Sequence, residues 1–110
     1  MKLLTEKVSK ALLRTSKISI KEAASMQSKV IVRFYNPSGV GEWLIVRGEK
    51  VDDKWILYGY IRGVTLGDWG FITEDELNNI VMQPFGTKIE RDILLEPNVK
   101  TVKQILDASF

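Results

Sequence analysis

Three strand-like segments, separated only by short turns, occupy the middle of the chain and restrict its fold more than any other feature. They cover residues 30–35, 42–48 and 55–62, and the first and third alternate between two sets of side chains as β-strands do. The turns are Asn36-Pro37-Ser38-Gly39, where proline presets φ and glycine accepts a left-handed backbone, and Val51-Asp52-Asp53-Lys54. Connections of this length join antiparallel neighbours, so the segments predict a three-stranded meander.

The alternation divides the side chains of the third strand between the two faces of the sheet. The first face receives Trp55, Leu57, Gly59 and Ile61, and we expect helices to cover it. The second face receives Ile56, Tyr58, Tyr60 and Arg62, with Arg33 and Tyr35 beside them on a neighbouring strand. We expect this second face to point outward.

Capping residues mark four helix starts. Thr5 is an N-cap for a helix that runs to about Arg14, with an apolar stripe that includes Val8 and Leu12. Three further helices are predicted where Ser or Thr precedes Glu or Gln by three positions, as in a capping box: Ser19 and Glu22 (helix to about Met26), Thr73 and Glu76 (helix ending before Pro84), and Thr101 and Gln104. A last strand is expected at about residues 88–95, stopped by Pro97.

Together these elements predict one α+β domain over residues 1–110. Its sheet has four or five mostly antiparallel strands, with three to four short helices packed mainly on one face. A chain of 110 residues that is 45% hydrophobic fits a single domain with its own core.

The chain contains neither histidine nor cysteine. This excludes catalytic triads and dyads built on those side chains, zinc sites that need them, and disulfides. We therefore expect a protein that is not an enzyme and holds no metal or cofactor. No apolar run approaches the ~20 residues of a membrane span, so we expect no membrane association and a cytoplasmic location.

Carboxylates are the main chemistry that this composition leaves. Glu90 and Asp92 are two apart in the predicted last strand and so lie on one face, where they could bind Mg²⁺ or act as an acid/base pair with Glu96 or Asp68. Arg91 intervenes, however, and Glu-Arg-Asp is a common salt-bridged surface pattern. The salt-bridged interpretation is the one that we favour.

Charge is divided unevenly along the chain. Residues 1–33 carry eight basic and two acidic side chains, a net charge of +6, whereas the remaining residues sum to −4. The first helix places Lys7, Lys10 and Arg14 opposite its apolar stripe, with Lys17 just beyond. Residues 68–96 carry a net charge of −5. The split indicates either two faces for charged partners or an ordinary solvated helix.

Aromatic and arginine side chains share the second face. Tyr35, Tyr58 and Tyr60 with Arg33 and Arg62 could stack on and neutralise single-stranded nucleic acid. The same residue types are enriched at protein-binding hot spots. A purely structural role, with tyrosines lining a half-exposed sheet, is the third interpretation, and the sequence leaves all three open.

Several short segments are distinctive in combination. They are Leu3-Leu4-Thr5, Phe34-Tyr35-Asn36-Pro37 with Gly39, Trp43-Leu44, Leu66-Gly67-Asp68-Trp69-Gly70-Phe71-Ile72, Glu76-Leu77, Pro84-Phe85-Gly86, Ile89-Glu90-Arg91-Asp92 and Glu96-Pro97. In them the sequence resembles a bacterial family, domain of unknown function 2958. It departs from that family in the lysine-rich residues 17–29 and at Asp68-Trp69, where the family pattern has Glu-Leu.

The resemblance implies no particular activity, because the family has none assigned. Its members are typically small proteins of plasmids, integrative elements and phages, often encoded near antirestriction genes. The resemblance therefore implies an accessory or counter-defence protein, such as an anti-CRISPR or antirestriction inhibitor that binds a host nuclease or ribonucleoprotein. The alternative hypothesis is a single-stranded DNA- or RNA-binding accessory protein. Candidate partner-binding residues are Lys7, Lys10, Arg14, Lys17, Arg33, Tyr35, Tyr58, Tyr60, Arg62, Asp68, Trp69, Glu90, Arg91 and Asp92.

Overall fold

The computed structural model describes residues 2–64 and 67–108. Its strands are β1 (Val32–Tyr35), β2 (Glu42–Val51), β3 (Lys54–Arg62), β4 (Asp68–Thr73), β5 (Val81–Met82), β6 (Thr87–Lys88) and β7 (Glu90–Arg91). Five of them form one sheet in the order β4-β3-β2-β1-β7, with every neighbouring pair antiparallel. The predicted α+β class and the antiparallel meander of β1, β2 and β3 are confirmed.

The tight turn between β2 and β3 follows from its two central residues. Asp52 and Asp53 both have positive φ, 51° and 64°. Two consecutive residues of this kind match the right-handed twist of the flanking strands, which is why hairpins favour them. The predicted turn is therefore in place, and β2 extends through Val51, further than the predicted end near residue 48.

Four helices begin at the predicted caps. They are α1 (Glu6–Thr15), α2 (Ile20–Ala23), α3 (Glu74–Asn79) and α4 (Val102–Asp107). Thr5, Ser19, Thr73 and Thr101 each accept a hydrogen bond from a backbone N–H in the first turn, and the boxes at Thr73 and Thr101 are complete.

The second helix is shorter than the sequence predicts. It ends at Ala23 rather than near Met26. Beyond it, the backbone oxygens of Met26 and Ser28 accept hydrogen bonds from the backbone N–H groups of Lys103 and Val102, at 2.9 and 3.0 Å. Pairing with the C-terminal segment thus takes the place of a further helical turn.

The prediction of a continuous last strand over residues 88–95 is wrong. Thr87–Lys88 pairs with β5 in a separate hairpin, whereas Glu90–Arg91 joins the main sheet at β1. After β7, the Asp92 carboxylate accepts a hydrogen bond from the Leu94 N–H at 3.0 Å. This local turn ends the strand because the N–H that it uses is no longer available to a partner strand.

The helices, expected mainly on one face, are divided between both faces. On the first face α1 and α3 bury Leu12 and Leu77 against the sheet. On the second face α2 and α4 cover Leu44, Val46 and Tyr58, in a separate core. The uninterrupted apolar run Trp43–Val46 explains this arrangement, because a strand that is apolar on both sides needs cover on both sides. None of the helices within the described ranges is long and apolar enough to cross a membrane.

Gly59 on β3 has no room for a side chain beside the β2 backbone, and we expect Gly59→Ala to destabilise the fold. A Cβ there would lie 2.0 Å from the Leu44 carbonyl oxygen, which is a backbone atom and cannot rotate away. We expect a loss of at least about 3 kcal/mol in the free energy of unfolding, measured by chemical denaturation.

The control is Gly39→Ala, where the nearest atom to the new Cβ is Asn36 Nδ2 at 3.4 Å, an ordinary contact. This change should leave the free energy of unfolding within about 1 kcal/mol of the parent. Equal effects of the two substitutions would contradict the close approach of β2 and β3.

Candidate functional site

A buried carboxylate joins two arginines at the end of the second face that α2 and α4 leave open. Glu42 opens β2, and strand register places it opposite Tyr35 on β1 and opposite Arg62 on β3. Its side chain is only 7% exposed, so its charge requires compensation. Glu42 Oε1 accepts a hydrogen bond from Arg62 Nε at 2.5 Å, and Oε2 accepts one from Arg33 Nε. The carboxylate therefore holds both guanidinium groups from one side.

Arg33 is fixed by two further contacts. Its Nη1 lies 3.3 Å from Asp92 Oδ2, and its guanidinium carbon lies 4.8 Å from the centroid of the Tyr35 ring. The second contact is a cation–π interaction. With Glu42, Arg33 thus has three neighbours that limit its rotamers, which makes it a rigid element of the surface.

The two arginines border an open pocket of about 350 Å³, which we call the arginine pocket. It is lined by Arg33, Tyr35, Asn36, Gly39, Val40, Gly41, Glu42, Arg62 and Gly63. The β1–β2 loop forms one wall, and the start of the β3–β4 connection forms another. A Cβ at Gly63 would lie 2.5 Å from the Gly41 nitrogen, so this side of the pocket depends on two backbones passing side by side.

The buried Asn36 side chain shapes the loop wall. Its Nδ2 donates to the Val40 carbonyl at 3.1 Å, and its Oδ1 accepts from the Ser38 N–H at 3.1 Å and from the Thr87 hydroxyl at 3.3 Å. These bonds close an Asx turn and tie the loop to the β5–β6 hairpin. The wall is therefore held in place independently of any ligand.

Unused donors border this pocket. Within residues 2–64 and 67–108, no hydrogen bond or ion pair engages Nη2 of Arg33 or either Nη atom of Arg62. The side chains are 25% and 34% exposed respectively, and both residues line the pocket. Chemically, the pocket offers N–H donors to an acceptor and provides no recognisable nucleophile.

The aromatic residues predicted to lie on the outer surface are largely engaged with one another. Tyr58 is buried in the core beneath α2 and α4, which corrects the expectation that it points outward. Its ring stacks on Trp69 at 5.9 Å and meets Phe71 at 4.8 Å, while Tyr60 meets Trp69 edge-on at 5.4 Å. Asp68 is exposed and accepts a hydrogen bond from the Trp69 N–H at 2.7 Å. Burial raises the pKa of Tyr58, and the charge of Asp68 raises it further.

The basic face of α1 lies on the opposite side of the sheet from the arginine pocket. Lys7, Lys10, Arg14 and Lys17 are all exposed. Lys7 pairs with Glu96, and Lys10 pairs with Glu6 at 3.1 Å. These four basic residues therefore lie on a different surface from Arg33, Tyr35 and Arg62.

The Glu90-Arg91-Asp92 segment alternates as predicted. Glu90 lies opposite Tyr35 on the second face, and Asp92 pairs with Arg33. Arg91 points to the other side, where its Nη1 donates to the carbonyl of Lys2. Within the described part of the chain, no three acidic side chains lie close enough together to hold a metal ion.

Sequence reasoning missed Glu42 and Asn36, the two residues that organise the pocket. Glu42 begins the strand with the longest apolar run. Its neighbours on the adjacent strands, Tyr35 and Arg62, can be identified only when the strand register is known. A charged residue directly preceding such a run was the available signal. In the sequence alone, Asn36 indicates only a turn.

Comparison with known proteins identifies the family alone. The family model described as protein of unknown function (DUF2958) matches residues 3–108. No curated protein and no solved structure matches the chain. The match covers nearly the whole chain and agrees with the resemblance seen in its short segments.

Glu42→Gln should destabilise the protein, because it leaves two guanidinium groups facing a neutral amide. Breaking a buried pair costs roughly 3–5 kcal/mol, and partial exposure of both arginines lets water offset part of it. We therefore expect a loss of about 2–3 kcal/mol in the free energy of unfolding, measured by denaturation at pH 7. Glu49→Gln, on the same strand but 43% exposed and 3.8 Å from its partner Arg47, should cost under about 1 kcal/mol. Equal losses of stability in the two variants would show that the ion pairs of Glu42 stabilise the fold no more than an exposed pair does.

Tyr58 should make the protein less stable in alkali. Its pKa in the folded protein lies above the ordinary value of 10.0, so above that pH the unfolded chain loses this proton first. The contribution of Tyr58 to the free energy of unfolding is therefore fully present below pH 10 and is lost as the pH rises toward the pKa of the folded protein. Tyr58→Phe lacks this ionisation. Above pH 10 its free energy of unfolding should therefore fall less steeply with pH than that of the parent. Parallel pH profiles for the two proteins would contradict the raised pKa of Tyr58.

Proposed function

Because the chain belongs to the family of unknown function DUF2958, whose description assigns no activity, we propose its function from its geometry. It is a non-catalytic binding protein, and it holds a protein partner against the arginine pocket and the adjoining Tyr35. The observation that carries this proposal is the pair of arginines whose orientation Glu42 fixes, while Nη2 of Arg33 and both Nη atoms of Arg62 have no partner among the described residues.

A preorganised surface of this kind suits recognition. Binding costs free energy when flexible side chains must be ordered, and Arg33 is already held by Glu42, Asp92 and Tyr35. Tyrosine and arginine are also the residue types on which interface affinity most often depends. A rigid Arg33–Tyr35 pair beside an open pocket therefore supports a binding role.

The same geometry gives less support to single-stranded nucleic acid. Stacking of successive bases requires accessible rings along the sheet, but Tyr58 is buried and Tyr60 meets Trp69 edge-on. The four charges around the pocket also cancel, since Glu42 and Asp92 offset Arg33 and Arg62. Nucleic-acid binding stays the alternative hypothesis, which the experiment below distinguishes.

The identity of the partner stays a prediction from the family's setting. A protein of a plasmid, phage or integrative element encoded near antirestriction genes suggests a host nuclease or its ribonucleoprotein complex as the target. The absence of histidine and cysteine from the sequence fits inhibition by occupancy rather than by a reaction. The exposed basic face of α1 is a second surface that such a complex could engage.

The test is affinity purification of the tagged protein from a bacterial lysate, with and without nuclease treatment. We expect a protein partner that survives the treatment and whose capture falls about tenfold, or about 1.4 kcal/mol, with Tyr35→Ala. Lys50→Ala, an exposed position near the opposite end of β2 from Glu42, should leave capture unchanged. Capture that disappears with nuclease treatment would favour the nucleic-acid alternative, and capture that is indifferent to Tyr35 would contradict the proposed surface.

A further inference from the structure

We propose that the arginine pocket receives a single carboxylate group of the partner, from an acidic side chain or a chain terminus. The proposal rests on the protein-binding function above and adds the chemistry of the group that is recognised. Three features of the pocket support a carboxylate: its hydrogen-bond donors, its charge and its apolar rim.

The donors have the geometry that a carboxylate requires. Glu42 bonds to Nε of both guanidinium groups, and Asp92 bonds to Nη1 of Arg33. Among the described residues this leaves Nη2 of Arg33 and both Nη atoms of Arg62 as donors beside the pocket. A guanidinium presents its N–H groups as a rigid planar fork, which matches the two oxygens of a carboxylate. Arg62 has both Nη atoms without a partner among the described residues and is therefore the principal donor.

The charge of the site limits how much negative charge it can receive. Glu42 and Asp92 offset Arg33 and Arg62, so the four formal charges cancel. Among the described residues Asp92 pairs with Arg33 and not with Arg62, so the Nη groups of Arg62 face one incoming carboxylate with the least repulsion. A phosphate dianion or a run of phosphodiesters would bring excess negative charge close to Glu42 and Asp92, where repulsion opposes it.

The rim is suited to a peptide rather than to a free ion. Val40 lines the pocket and is 73% exposed, and Val64, which lies within van der Waals reach of a Cβ at Gly41, is 47% exposed. With the Tyr35 ring they surround the charged centre with apolar surface. The main chain and neighbouring side chains of a peptide would cover this surface, whereas inorganic anions would leave it in water.

The experiment titrates the isotope-labelled protein with small probes and follows it by nuclear magnetic resonance. The probes are a short acetylated and amidated alanine peptide with one central glutamate, the same peptide with glutamine, and an alanine peptide with a free C-terminal carboxylate. Inorganic phosphate and a short oligothymidine complete the set. We expect shifts at the Nε–H signals of Arg33 and Arg62 and at the amides of Gly41 and Gly63. These should come from one or both carboxylate peptides, with a dissociation constant on the order of 1–10 mM.

A matched pair of variants tests whether binding requires the planar guanidinium group of Arg62. Arg62→Lys keeps the charge but loses the planar donors, and it should weaken binding of the carboxylate peptide about tenfold. Arg14→Lys, on the exposed face of α1, should leave the affinity unchanged. If Arg62→Lys does not fold, as thermal unfolding would show, the wild-type titration still decides the assignment.

The outcomes separate the two proposals. Equal shifts from the glutamate and glutamine peptides, or no shifts from either carboxylate peptide, overturn the carboxylate assignment. A preference for phosphate or oligothymidine at this pocket also overturns it. If a captured partner depends on Tyr35 while Arg62→Lys binds it normally, the assignment fails and the proposed function stands. If the peptides bind but no nuclease-resistant partner is captured, the function fails and the pocket chemistry stands.

Discussion

The apolar character of β2 on both of its sides is the constraint from which the rest of the fold follows. Leu44 and Ile45 are adjacent in sequence, are both fully buried, and belong to different cores. A sheet with such a central strand needs a cover for each face, and each pair of helices supplies one. Because α4 covers the same face as α2, the segments at residues 26–30 and 98–103 must meet, and they do so through backbone hydrogen bonds.

The two covers are not equal in extent, and the candidate site lies where the second one ends. The helices α2 and α4 cover Leu44, Val46 and Tyr58. Glu42 lies two residues before Leu44 on the same face, but the side chains of Arg33 and Arg62 cover it instead of a helix. A carboxylate at that position is hidden from water without being surrounded by apolar atoms. The site is thus the polar edge of a core, and its rigidity derives from the strands beneath it.

Local signals predicted much of this fold because they act over a few residues. The N-caps at Thr5, Ser19, Thr73 and Thr101 and the Asp52–Asp53 turn depend only on neighbours in sequence, and all are in place. The distribution of helices between the faces depends on which segments meet across the chain. So does the meeting of Arg33, Glu42 and Arg62, which needs the register of three strands. Of the site, the sequence predicts Arg33, Tyr35 and Arg62 on one face, but neither the pairing of Asp92 with Arg33 nor the carboxylate of Glu42 that joins the two arginines.

The outer edge of β4 has a consequence for how copies of this chain behave at high concentration. Residues two apart on an edge strand direct their N–H groups the same way, and those of Trp69 and Thr73 are already bonded to Asp68 Oδ1 and Glu76 Oε1. Between them, the outward N–H of Phe71 has no bonding partner among the described residues. A second molecule attempting to extend the sheet there would find no continuous ladder, and it would also meet two negative charges. The edge therefore discourages fibre-like stacking.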